Sequence, residues 1–212
     1  MSAETPRERP ILFNEQMVRA ILEGRKTVTR RVMKPQPDFL GSMVDPNTPF
    51  KTLDAGLHAR ITCPYGEPGD RLWVREAWAA DAQVDAIAPR DLSQGEPIWY
   101  PADFSVRQTG CSMISKGRGR PSIHMPRWAS RILLEITAVR VERLQDISEE
   151  QALAEGVRGE PCDHARQACS DIGCWGDTAK GAFGFLWEQL NGAGAWQANP
   201  WVWVVEFKRV TP

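Results

Sequence analysis

Gly24-Arg25-Lys26-Thr27-Val28-Thr29-Arg30-Arg31 is the stretch on which the reading of this chain turns. It places four cations, two hydroxyls and one glycine within eight residues. Ahead of it, Asn14 suits a helix N-cap, and Met17, Val18, Ile21 and Leu22 repeat at helical spacing. Gly24 then fits the position just past a helix end, where a left-handed backbone is needed. Residues 26 to 33 are rich in β-branched side chains and read as extended. Buried cations are costly unless paired. The cluster therefore faces a polar ligand, anionic or nucleobase-like, or forms a solvated edge.

Outward from this stretch, separated strands alternate with helices. Pro10 to Phe13 is a short apolar run. Gly69-Asp70 opens a strand that continues through Leu72, Val74 and Arg75. From Arg131 to Leu144, Ile132, Leu134 and Ile136 mark one face of a strand. Ser148 and Gln151 are spaced as a capping box, and the helix they start stops at Gly156. Phe183, Leu186, Trp187 and Leu190 mark an amphipathic helix ended by Asn191-Gly192. Trp201 to Phe207 is a last strand, with Trp201, Trp203, Val205 and Phe207 on one face. Residues near 35–66, 79–128 and 157–177 lack a period and read as insertions in a single domain covering 1–212. The expected fold is α+β: a small mixed β-barrel of about five to six strands with flanking helices and long loops.

Composition narrows the function classes. Net charge is −1, which argues against coating long nucleic acid by charge alone. Local charge differs, with six bases and one acid between Arg19 and Lys34. A second basic group comprises Lys116, Arg118, Arg120, Arg127 and Arg131. Five cysteines, an odd count, do not suggest a disulfide framework. No apolar stretch is long enough for a membrane span, and residues 1–10 lack the apolar core of a signal peptide. The expected location is cytoplasmic. Nine tryptophans against two tyrosines imply a tryptophan-rich core, with one or two rings free to stack on a base.

Three residues carry candidate chemistry. A threonine hydroxyl is a weak nucleophile unless a neighbouring base takes its proton. A lysine becomes that base when burial or nearby cations lower its pKa. Thr29 and Lys26 are candidates for those roles, with Arg25, Arg30 and Arg31 as the cations and Glu155, at a helix end, as a carboxylate that either orients the lysine or handles the proton of the leaving amine. A regular strand sends residues 26 and 29 to opposite faces, so their cooperation requires a break in the strand. Glu76, at the end of the strand from Arg71, is either a competing carboxylate or the ion-pair partner of an arginine. Cys162, His164, Cys169 and Cys174 form C-x-H-x4-C-x4-C, which is either a zinc site or a set of free thiols, since the usual C-x2-C pair is absent. His124, between Ile123 and Met125, reads as a packed histidine.

The pattern G-x-K-x-x-x-x-R, met by Gly24, Lys26 and Arg31, resembles the signature of the ASCH family, a branch of the PUA-like superfamily. Gly69-Asp70-Arg71-Leu72-Trp73-Val74, the helix from Ile147 to Gly156 and the strand from Val202 to Lys208 follow in the family's order. The longer segments 64–76 and 120–128 are similar to ASCH proteins of phages and prophages. The resemblance covers about half the chain, in pieces. It implies a PUA-like barrel, no cofactor, and an activity like that of the bacterial ASCH enzymes that hydrolyse N(4)-acetylcytidine. It implies catalytic roles for Lys26, Thr29 and Glu155. Gly24, Thr27, Arg31, Glu76 and Arg127 are then candidates to line the substrate site. Two other classes remain: an RNA- or DNA-binding module or ribonuclease using a basic cleft, and a non-enzymatic phage-associated interaction protein. The expected partner is a modified nucleoside or RNA.

Overall fold

Asn14 starts the first helix, α1 (Glu15–Leu22), by accepting a hydrogen bond from the Met17 amide at 2.9 Å. Gly24 ends it with φ +75°, a backbone state that costs a side-chain-bearing residue about 1–2 kcal/mol. The structure, a computed structural model, describes residues 6–36, 62–108, 110–158 and 178–210. Its strands are β1 (Glu8–Leu12), β2 (Val28–Val32), β3 (Arg71–Arg75), β4 (Ile98–Tyr100), β5 (Ser105–Arg107), β6 (Leu133–Arg143) and β7 (Trp201–Val210). The other helices are α2 (Glu149–Ala154) and α3 (Ala179–Asn191). At α2 the capping box is complete: Ser148 Oγ accepts from the Gln151 amide, and Gln151 Oε1 accepts from the Ser148 amide.

The fold is α+β, with a five-stranded sheet in the order β1-β3-β6-β7-β2. β1 pairs parallel with β3, while β2–β7 and β3–β6 are antiparallel. No pairing between the terminal strands β1 and β2 closes the sheet into a barrel among the described residues. No helix among them is long and apolar enough to cross a membrane.

The chain divides into two compact units. The first is Met1–Glu23, Gly69–Glu135 and Arg209–Pro212; the second is Gly24–Pro68 and Ile136–Lys208. In the second unit, Ile147, Ala152, Phe183, Trp187 and Trp196 pack on Val28, Val202 and Val204. That cluster takes one face of β7. Trp203, Val205 and Phe207 are buried on the other, so β7 is covered on both sides rather than on the single face expected. In the first unit, residues 79–128 do more than wander. Trp78, Ala80, Leu92, Ile98, Tyr100, Met125 and Ala129 form their own buried cluster, with β4 and β5 as a hairpin. Irregular spacing of these apolar residues hid the cluster from any period of 2 or 3.6.

Asp81 ties this region together by accepting from the amides of Gln83, Ile114 and Ser115. These bonds, that from Gln83 first, hold its carboxyl below the usual aspartate range. The Gly117 amide reaches Ala80 O at 2.9 Å. A Cβ on Gly117 would meet the Asp85 carboxylate at 2.5 Å and Ala80 O at 2.8 Å, whereas one on Gly119 would meet nothing within 4 Å. Gly117→Ala is therefore expected to destabilise the protein by about 1–3 kcal/mol, and Gly119→Ala by much less. Urea unfolding midpoints of the two variants check this, and equal midpoints would contradict the packing described.

Candidate active site

The site is built where the link between α1 and β2 meets the end of α2. The Thr27 amide donates to Ala154 O at 2.9 Å, and Thr27 O accepts from the Phe207 amide at 2.9 Å. The link is thus held by α2 on one side and β7 on the other. Arg25 Nη1 donates to Gly156 O at 2.8 Å. Lys26 then turns inward. Its Nζ donates to Val28 O at 2.8 Å, Glu155 O at 2.9 Å and Glu155 Oε2 at 2.7 Å. A lysine ammonium has three protons, and three acceptors stand around this one. Lys26 is 2% exposed and Glu155 3%.

Glu155 is held from a second direction. Arg30 Nη1 lies 3.3 Å from Glu155 Oε1, while Arg30 Nη2 donates to Glu142 Oε2 at 3.1 Å and Gln151 Oε1 at 2.9 Å. Each carboxylate oxygen of Glu155 therefore has its own cation. Gln151 serves both the α2 cap and Arg30. Arg140 in turn pairs with Glu142 and Glu206. Gln151 and Glu142 were not singled out for this site by sequence, and Arg30 was read only as one of the cations that lower the lysine pKa. The Ser148–Gln151 spacing was the one available signal, and it pointed only to a helix start.

Burial depresses the Lys26 pKa, since a charged ammonium loses water there. Glu155 opposes the shift, and Arg31 and Arg30 add to it. The ordering of faces gives this its meaning. Val28 and Val32 pack in the helix-side cluster. Thr29 and Arg31 therefore point to the opposite face of β2. Thr27 O and the Met33 amide bond to β7, so the even-numbered carbonyls, Val28 among them, point to the strand's outer edge. Lys26 Nζ sits at that edge and feels Arg30 from one face and Arg31 from the other. β2 begins at Val28, so Lys26 lies outside the strand and its alternation does not bind it. The acceptor Val28 O belongs to the peptide bond that leads into Thr29.

The remaining candidate residues fall in different settings. Thr29 is buried at 2% exposure and pairs across to Val205. Thr27 is exposed, and Gly24 forms the turn. Arg31 lies opposite Trp203 and acts against the upward pKa shift that burial gives Tyr65. Glu76 and Arg127 belong to the first unit. Glu76 is 1% exposed and takes both Nε and Nη2 of Arg131 at 2.9 Å each. Burial raises its pKa against the pull of Arg131. Arg131 also bonds Asp103 and Ser105, and its guanidinium lies 4.0 Å from the Tyr100 ring centre. Burial raises the Tyr100 pKa to about 12. Arg127 pairs with Glu8. Arg120 is 5% exposed and donates to Ile87 O and Val84 O. Neither Lys26 nor Arg120 is thus available to an open basic groove. Cys162, His164, Cys169 and Cys174 lie outside the described residues. Among those described, no group of three or more His, Cys, Asp or Glu residues is placed to hold a metal.

No family model, curated protein or solved structure matches this chain.

Removing one partner of a buried pair leaves an uncompensated charge, at a cost of about 3–5 kcal/mol. Lys26→Met and Glu155→Leu should each lose about that much, and the double variant clearly less than their sum. Urea denaturation gives the comparison. The pH dependence has a definite sign. The folded Lys26 gives up its proton below the usual 10.5, while the unfolded chain keeps it to that value. Between the two values the unfolded state binds more protons, so this group makes stability rise with pH. Wild type should therefore gain on Lys26→Met across that window; a decline there would refute the shift.

Proposed function

We propose that this chain is an ASCH-type, PUA-like amidohydrolase that removes the acyl group from N(4)-acylated cytidine. The observation that carries the reading is the buried Lys26–Glu155 contact of 2.7 Å, with Lys26 at the edge of the strand that bears Thr29. A lysine whose pKa is lowered by burial and flanked by two arginines suits a general base. The second support is the resemblance in the order of motifs from Gly24 to Lys208.

The chemistry would run as follows. Lys26, in its neutral form, takes the Thr29 hydroxyl proton as Thr29 Oγ1 attacks the acyl carbonyl. The developing oxyanion requires donors, and Arg31, on the same face of β2 as Thr29, would supply the positive charge. The C–N bond breaks as the amine nitrogen takes a proton from the Lys26–Glu155 pair. The acyl group is then an ester on Thr29. Water attacks this ester, gives its proton back through the same pair, and releases the carboxylic acid and free Thr29. Lys26 must loosen its bonds to Val28 O and Glu155 for this to happen. Such reorganisation is usual between a resting and a substrate-bound site.

A second reading, a non-enzymatic interaction protein, draws on exposed apolar side chains within residues 79–128. Phe104 is 73% exposed and Ile114 75%. Phe104 also holds φ at +59°, unusual for a bulky residue.

The experiment is incubation of the full chain with N(4)-acetylcytidine and, separately, with short RNA. Under the first reading the nucleoside is converted to cytidine and acetate. Thr29→Ala should lose at least about a hundredfold in kcat/KM while remaining folded, and Thr29→Ser should retain part of the rate. Turnover unaffected by Thr29→Ala would exclude the mechanism. No turnover at all would favour the second reading, and cleavage of the RNA would replace both.

A further inference from the structure

The first unit contains a groove of about 430 Å³ that the proposed chemistry does not use. That volume is within the range of small-molecule sites. Its basic lining is Arg75, Arg90 and His124, and its apolar walls include Pro89, Ile123 and Pro126. No acidic side chain among the described residues lines it.

Two short turns shape the walls. Pro89–Asp91 forms one, and Ser122–His124 the other. Both are pinned. The His124 and Met125 amides donate to Pro121 O and Ser122 O, at 3.0 Å each. On the other side, the buried Arg120 guanidinium grips Ile87 O and Val84 O at 2.9 Å each, just ahead of Pro89. The groove is therefore formed in advance, which spares a ligand the cost of ordering it.

Its cations have charge to spare. Arg75, at the end of β3, lies with its guanidinium 4.7 Å from the Trp73 ring centre. No carboxylate pairs with Arg75 among the described residues. Its neighbour Glu76 is committed to Arg131. Arg90 pairs with Asp91 at 3.6 Å, with side chains 87% and 61% exposed. An ion pair that open is weak and easily exchanged for a stronger anion. Two guanidiniums with forked donors match a dianion better than a single carboxylate.

We propose that this groove binds a small organic phosphate ester. The phosphate lies between Arg75 and Arg90, with His124 at its rim. The flat or apolar part of the molecule lies against Pro89, Ile123 and Pro126. An aryl phosphate and a nucleoside monophosphate share this chemistry. The site is separate from the Lys26–Glu155 chemistry and does not depend on it.

Titration calorimetry on the full chain tests the assignment, with phenyl phosphate, cytidine monophosphate, inorganic phosphate, phenol and cytidine as probes. At least one of the two esters should bind about tenfold tighter than inorganic phosphate and than its own phosphate-free counterpart. Whichever ester binds better identifies the source. Arg90→Glu, a change at an exposed side chain, should weaken that binding by about tenfold or more. Arg75→Gln should do the same, and Thr29→Ala should leave it unchanged. The assignment fails if neither ester binds, if inorganic phosphate binds as tightly as both, or if Arg90→Glu binds like wild type.

Discussion

The second unit depends on one ammonium group in a place with almost no water. Lys26 Nζ joins the last turn of α2, the outer edge of β2 and the Glu155 carboxylate in a single set of three hydrogen bonds. In bulk water each contact would contribute little. Under near-complete burial, none can be lost without stranding a charge. The same group settles two structural needs. It satisfies the Glu155 carbonyl at the end of a short helix, and it fills an acceptor on a terminal strand that would otherwise invite another strand. Arg25 and Arg30 complete the arrangement by holding a backbone carbonyl and the Glu155 carboxylate. A structural role and a chemical one are compatible here. The burial that makes Lys26 a good tie also lowers its pKa.

The sequence showed the elements better than their partnerships. Asn14, Gly24 and the Ser148–Gln151 box acted as caps where expected, because capping is local chemistry set by a few adjacent residues. The strand near residue 71, the long alternation of β6 and the closing strand were likewise readable from spacing. Pairing was less so. That β2 lies beside β7, about 175 residues further on, depends on packing that no local pattern encodes. The buried cluster of residues 78–129 was missed for a related reason, since its members come from turns and short strands with no shared period.

The candidate site was legible in part. Lys26 and Glu155 were named from residue chemistry and family resemblance, and the structure places them in contact. The objection that strand alternation separates residues 26 and 29 assumed that the strand began at Lys26. It begins at Val28, because Thr27 already bonds α2 through its amide. Arg30 had been read as a general source of positive charge; in the structure it is the second anchor of Glu155. Two members of the second basic group changed character. A run of arginines in sequence says nothing about burial, and Arg120 and Arg131 are spent on carbonyls and carboxylates inside the first unit.

The register of β2 also sets an order of events during synthesis. Thr29 pairs with Val205, and Glu155 is made between them, nearer to Val205. A ribosome that has released the α1–β2 segment has not yet made either the helix end that holds Lys26 or the strand that covers Thr29. Until Glu155 is made Lys26 has no carboxylate to pair with, and until β7 is made the cationic stretch lacks its neighbouring strand. Loop closure over such a distance is entropically slow. A chain stopped short of residue 201 would carry all the residues named for chemistry but lack the strand that pairs with Thr29.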